Sequence, residues 1–322
     1  MAPPSISIYN ARNLQKQAEF QRFMRVIALS PNNRHVACGS SGGAGLLPSF
    51  LNPDGSVGND GTVTLFDYVS GEIVHKFPTT GSGADIFYLE YDSTGKYLAC
   101  TASDGLYIWY VESQDLVLKQ HGFEERAIRF VKDEQAEQLF VARWDTVQVL
   151  NTSGWREIDE FECWKGVSVS DSQFQVIAPD GNRIATFIAD EEHVAVWNLQ
   201  TGTLEWTQAV GTASVSPRQA ICFHPSGTLL AAGSSGQITV WRIPQRELVS
   251  ELHFERGWDA ESLTFSPDGR LLAAVWIRIE YGQDYTEWYE LKDCTLWDWE
   301  WGAQLIRLPG TCAPAFSADG TS

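Results

Sequence analysis

Basic residues are in short supply in this 322-residue chain. Lys and Arg number 23 against 41 Asp and Glu, for a formal net charge of −18. That balance argues against a nucleic-acid backbone or an anionic membrane as the main partner. Long apolar runs are missing too. No segment approaches the ~18 apolar residues of a membrane span. The N-terminus, MAPPSISIYNARNLQ, has neither the basic start nor the apolar stretch of a secretory signal. The six cysteines, Cys38, Cys100, Cys163, Cys222, Cys294 and Cys312, stand singly, with no C-x-x-C pair, so no zinc site is expected. Several sit inside apolar runs, where free Cys acts as a small core residue. A reducing compartment, cytoplasmic or nuclear, fits this usage best. No H-E-x-x-H, Walker A or EF-hand loop is present, and no cofactor or metal is expected. GSSGG at Gly39–Gly43 matches G-x-S-x-G, but that motif needs a strand–turn–helix elbow. Here it opens a glycine-rich loop, so Ser41 is read as a loop residue. Sustained helical periodicity is absent as well.

What the chain has is repetition. An alternating apolar strand ending on a ring or large aliphatic residue recurs as SISIYN, TVTLFD, GLYIWY, TVQVLN, HVAVWN, QITVWR and CTLWDW. Its anchors are Tyr9, Phe66, Trp109, Leu150, Trp197, Trp241 and Trp297. Four of the six spacings, 43, 41, 47 and 44 residues, share one period, and the other two, 57 and 56, require insertions. Period-2 alternation and β-branched content mark these segments as strands. A second short strand follows each one, as in GEIVHKF or RELVSEL. A further phrase precedes most anchors: apolar strand, tight turn, apolar strand, as in ICFHPSGTLLAAG and LTFSPDGRLLAAV. Pro presets φ early in such a turn and a late Gly accepts φ > 0, so S-P-D-G closes a hairpin.

FSPDGRLLA, FHPSGTLLAAGSSGQITVW and the Trp297-Asp298 pair give the chain its resemblance to the WD40-repeat β-propeller family. The resemblance runs the whole length and implies blades of four antiparallel strands, a to d from the axis outward. The family's Gly-His pair before strand a is nearly absent, and its Asp before strand c survives best as Asp60, Asp104 and Asp145. Strand packing is therefore expected to hold the blades without the family's buried His–Asp network. A count of phrases leads to an all-β, seven-bladed propeller, one domain over residues 1–322. Blades 1 to 6 fall near residues 24–77, 85–120, 126–162, 173–208, 219–253 and 260–308. Blade 7 is split between the termini, residues 1–20 with 311–322, and lacks its b strand. Either a natural continuation of the chain supplies that strand, or Ser5–Tyr9 shifts inward to leave a three-stranded blade, or a partner donates it.

The two insertions, Ser40–Asp60 and Trp276–Asp293, fall between strands b and c of blades 1 and 6, on the face that b–c and d–a loops share. The second interleaves Trp276, Tyr281, Tyr285, Trp288 and Tyr289 with Glu280, Asp284, Glu287 and Glu290. These rings either cap the core as a satellite cluster or form a recognition surface, since Trp and Tyr anchor binding hot spots. Trp258 and Trp164 extend the candidate set. Acidic neighbours favour a basic or mixed peptide or protein. The expected function is a non-catalytic interaction scaffold or sensor module, one that can form part of a longer chain. The rival is a propeller enzyme with a small-molecule or sugar site in the channel, where two carboxylates could do acid–base work.

Overall fold

The computed structural model describes residues 24–40, 61–79, 84–122, 127–132, 136–164, 175–188, 193–210, 220–281, 288–310 and 314–317. Within them the regular structure is all β. The chain divides into two compact units at Glu160/Phe161.

The unit Lys16–Glu160 carries three sheets. They are β1 (Met24–Leu29), β2 (His35–Ser40), β3 (Thr62–Asp67) and β4 (Ile73–Pro78); β5 (Ile86–Tyr91), β6 (Tyr97–Ala102), β7 (Gly105–Tyr110) and β8 (Leu116–His121); and β9 (Ala127–Lys132), β10 (Glu137–Ala142), β11 (Thr146–Asn151) and β12 (Glu157–Glu162). The second unit carries β13 (Gln175–Ile177), β14 (Arg183–Phe187), β15 (His193–Asn198) and β16 (Thr203–Ala209); β17 (Ala220–Phe223), β18 (Leu229–Ser234), β19 (Gln237–Arg242) and β20 (Glu247–His253); and β21 (Asp259–Phe265), β22 (Leu271–Tyr281), β23 (Trp288–Asp298) and β24 (Ala303–Pro309). Strands neighbour one another in chain order within every sheet.

Local chemistry explains the regularity. The hairpin turn between the first two strands of a sheet reaches positive φ at Gly95, Gly181, Gly227 and Gly269, where a side chain would be strained, and Asn33 takes the same role in the first sheet. The turn before each outer strand repeats the device at Gly71, Gln114, Trp155, Gly202, Arg246 and Gly302. The ladder shifts register where Phe66, Trp109, Trp197, Trp241 and Trp297 meet the outer strand. Such a bulge re-aims a side chain, and all five rings are buried.

Sheet packs on sheet through apolar clusters that include three of these rings, Trp109, Trp241 and Trp297. In the first unit Phe77, Ile86, Leu98, Tyr107 and Trp109 share one cluster, and Leu106, Ile108, Phe130, Leu139 and Trp155 the next. In the second, Phe187, Trp206, Leu230 and Trp241 form one cluster, and Ile238, Trp258, Trp276, Trp297 and Trp299 another. His224 locks the last two sheets together. Its Nε2–H donates to Gly269 O at 3.1 Å, so the free Nδ1 accepts from the Ser226 N–H at 3.1 Å. Trp299 Nε1–H donates to the same Gly269 carbonyl at 2.7 Å. Burial pulls the His224 pKa below its ordinary value and so favours the neutral imidazole.

The seven-blade expectation is corrected here. The described residues form six four-stranded sheets, the blade architecture of a β-propeller, and not seven. Of the expected split blade, residues 1–20 lie outside the described residues. The strand expected at Ala313–Phe316 is not one, because Pro314–Ser317 carry no strand. Pro314 has no N–H to give a ladder. Phe316 instead packs against Leu271, Ala273 and Leu296 on the last sheet. The repeated phrase thus marks apolar alternation, which lets a segment cover a sheet without pairing with another strand.

Candidate protein-binding site

The β22–β23 hairpin is the longest in the molecule's described part, and its sequence shows why. WIRIEY and WYELKD continue the apolar–polar alternation and β-branched or aromatic content past the end of the blade. The ladder runs without a break from Leu271↔Asp298 to Tyr281↔Trp288. On one side β21 joins it only from Asp259↔Ile277 inward, and on the other β24 stops at Asp293↔Pro309. Arg278↔Leu291, Ile279↔Glu290, Glu280↔Tyr289 and Tyr281↔Trp288 therefore form a two-stranded arm beyond both neighbours. Ile279 and Leu291 are 40% and 37% exposed on it.

The root of the arm is rigid. Trp276 is fully buried, and its Nε1–H donates to Thr295 Oγ1 at 2.8 Å. Trp297 donates to the same hydroxyl at 2.7 Å, and the hydroxyl donates on to Ala274 O at 3.4 Å, so both lone pairs and the proton of Thr295 are used. Phe254 stacks on Trp276 with centroids 4.7 Å apart and meets the buried Trp258 edge-on at 5.7 Å. Two guanidiniums cover this aromatic cluster. Arg278 lies 5.2 Å from the Trp258 ring, and Arg307 lies 5.0 Å from Phe254 and 5.6 Å from Trp258. Arg307 also donates to Glu255 at 2.7 Å and to Asp293 at 2.6 Å, while Arg278 pairs with Glu280. The bond from Arg307 holds Glu255 below the usual carboxylate range, and the Arg307 pKa rises in turn. Lys292 and Glu261 close the far side at 2.7 Å.

Of the residues expected at a binding surface, the fold brings Trp276 and Trp258 together through Phe254, both buried. Trp164 packs elsewhere, edge-on to Trp197 of β15 at 4.9 Å. Tyr281, Trp288 and Tyr289 are in the backbone ladder of the arm. Tyr285 and Glu287 lie outside the described residues, as does the other insertion at residues 41–60. The sequence reading missed Phe254, Arg278, Asp293 and Arg307. Arg278 was within reach, because period 2 from Trp276 puts it on the same strand face. The contact between Glu255 and Arg307 spans 52 positions with no local signal. Among the described residues no three His, Cys, Asp or Glu side chains gather as metal ligands would.

The first unit holds a strongly perturbed carboxylate. Glu90 on β5 lies 3.6 Å from Arg129 of β9 and accepts the Phe130 N–H at 3.3 Å. Burial lifts its pKa from 4.5 to about 7, against the pull of Arg129. Between those values the folded chain holds a proton that the unfolded chain has lost, so stability falls as pH rises through the window and is flat above it. Glu90→Gln keeps the acceptor and removes the titration. The variant should match the wild type near pH 4 and be the more stable by up to about 3 kcal/mol at pH 8. Melting curves that stay parallel for the two proteins across this range would contradict the assignment.

Residues 211–242 match the WD40 family model, described as WD domain, G-beta repeat. A chain in a crystal structure of the mitotic checkpoint complex superposes over 92% of this chain and 82% of its own length, with a TM-score of 0.61 and 16% identity. Cilia- and flagella-associated protein 251 of Pongo abelii is 34% identical over 95 residues, which is 28% of this chain and 8% of that protein. Echinoderm microtubule-associated protein-like 4 of Mus musculus is 37% identical over 86 residues, 26% of this chain and 8% of that protein. Guanine nucleotide-exchange factor SEC12 of Rattus norvegicus is 38% identical over 88 residues, 27% of this chain and 20% of that protein. The chain thus aligns with a fifth or less of the length of these relatives. Repeat match, relatives and structural neighbour together support the WD40-repeat β-propeller family.

Proposed function

We propose that the chain is a non-catalytic protein-interaction module that holds a protein or peptide at the β22–β23 arm. The observation that carries this reading is the arm itself. It reaches past both neighbouring strands, exposes Ile279 and Leu291, and stands on a packed Trp–Phe–Arg root. A rigid root limits the entropy lost on docking. WD40 propellers generally serve as protein-binding scaffolds, and the net charge of −18 would steer a basic or mixed partner. A reducing, cytoplasmic setting goes with the proposal, because Cys38, Cys100, Cys163, Cys222 and Cys294 are free thiols.

The test is site-specific photocrosslinking in the native host, with benzoylphenylalanine at position 279 or 291 and, as controls, at 116 or 158. Leu116 and Ile158 are comparably exposed on outer strands β8 and β12. One common protein adduct from 279 and 291, and none from the controls, is expected. Ile279→Asp combined with Leu291→Asp should cut partner recovery at least tenfold, ~1.4 kcal/mol, without lowering the melting temperature. Adducts of equal yield from all four positions, or none from the arm, would remove the arm as the site.

A further inference from the structure

We propose that the arm captures its partner by strand addition: an extended segment reading base–apolar–acid pairs antiparallel with the free edge of β22 at Arg278–Tyr281. This rests on the interaction reading above and specifies its chemistry. The edge is open because β21 leaves the ladder at Asp259. The residue before it, Trp258, turns its carbonyl away to accept the Gly236 N–H at 2.6 Å. No described strand takes over beyond that point. A two-stranded ribbon is marginal alone and gains from a third strand. Main-chain bonds supply the affinity in such complexes, and alternate side chains supply the selectivity.

Those side chains define the partner. Arg278 and Glu280 are on one face of β22, paired with each other, and Ile279 is on the opposite face. Cross-strand neighbours of opposite charge attract and like charges repel. An antiparallel segment, in the direction β21 already takes, meets Glu280 first, then Ile279, then Arg278. It therefore needs Lys or Arg, then an aliphatic residue that covers Ile279, then Asp or Glu. The acid would arrive where Arg278 is already held over Trp258. The segment must also end there, because the next place in the ladder is filled by Asp259 opposite Ile277. That limit disfavours a second copy of this chain. Arg278-Ile279-Glu280 does read base–apolar–acid, but self-pairing would push Tyr281 of one copy into the place of Asp259 in the other.

The experiment titrates the isotopically labelled chain with the peptide acetyl-Thr-Val-Thr-Lys-Val-Glu-amide and follows backbone amide resonances. Saturable shifts confined to Arg278–Tyr281 and their ladder partners are expected. The peptide with Lys and Glu exchanged should bind at least tenfold more weakly. The same peptide N-methylated at alternate residues, with side chains intact but donors gone, should not bind. Arg278→Glu combined with Glu280→Arg should reverse the preference between the two charged peptides. Strand addition is overturned if no saturable shift occurs, if N-methylation leaves binding unchanged, or if sedimentation shows the chain dimerising through the arm. Peptide failure beside intact crosslinking from positions 279 and 291 would sink strand addition and leave the interaction reading standing. Loss of the crosslinks would sink both.

Discussion

Trp276→Ala is expected to destabilise the second unit by about 3–5 kcal/mol, the range for deleting a fully packed large ring. The side chain is completely buried within the Trp258–Trp297–Trp299 cluster. Phe254 loses the face it stacks on at 4.7 Å, and the arm loses the anchor two residues below Arg278. Thr295 keeps one indole donor, Trp297, so the hydroxyl is not stranded. For that reason Trp276→Phe, which keeps most of the ring and drops the N–H, should cost far less, about 1 kcal/mol. Denaturant titration of the three proteins checks the order. If Trp276→Ala and Trp276→Phe cost the same, hydrogen bonding and not ring packing dominates, and the root of the arm needs another explanation. Partner recovery by the same three proteins tests what this ring contributes to binding. A fully buried Trp276 can act on a partner only through the stability and placement of the arm, so its loss should weaken binding in proportion to arm disorder.

The fold was largely visible in the sequence because its cause is local. Alternation at Val194–Asn198 or Ile238–Arg242, and the late Gly of HPSG and SPDG, act within a few residues and recur. The blade count failed because it turned on Ala313–Phe316, whose described residues, Pro314–Phe316, have the expected alternation and yet carry no strand. Strand pairing is non-local, and one phrase at a time cannot report it. The candidate site divides along the same line. The long insertion and its rings could be seen from spacing alone. Whether each ring packs inward could not, because strand parity relative to the sheet decides it. Parity buries Trp276 and places Arg278 over Trp258. Glu255, Asp293 and Arg307 meet only once three separate elements are assembled.

The second large effect is expected in the first unit, from a single methyl group. Gly105 opens β7 with φ of +142°, a conformation that side chains rarely tolerate. A Cβ there would be 2.0 Å from Gln120 O and 3.1 Å from Gln120 C on the adjacent strand β8. The obstacle is backbone, so no rotamer change relieves it, and the β7–β8 ladder at Gly105↔His121 must open instead. Strain and overlap together put the cost of Gly105→Ala at about 3 kcal/mol or more. For a unit of this size that is a fall of roughly 6–12 °C in melting temperature. Gly154→Ala is the matched control, since its Cβ would meet only the Asn151 side chain, at an ordinary 3.7 Å. It should change stability by no more than about 0.5 kcal/mol. Hydrogen exchange should localise the damage, with faster opening at Leu116–His121 in Gly105→Ala and unchanged protection in β17–β20 of the other unit. A Gly105→Ala protein that melts within about two degrees of the wild type would mean that β8 does not approach β7 as closely as the ladder requires.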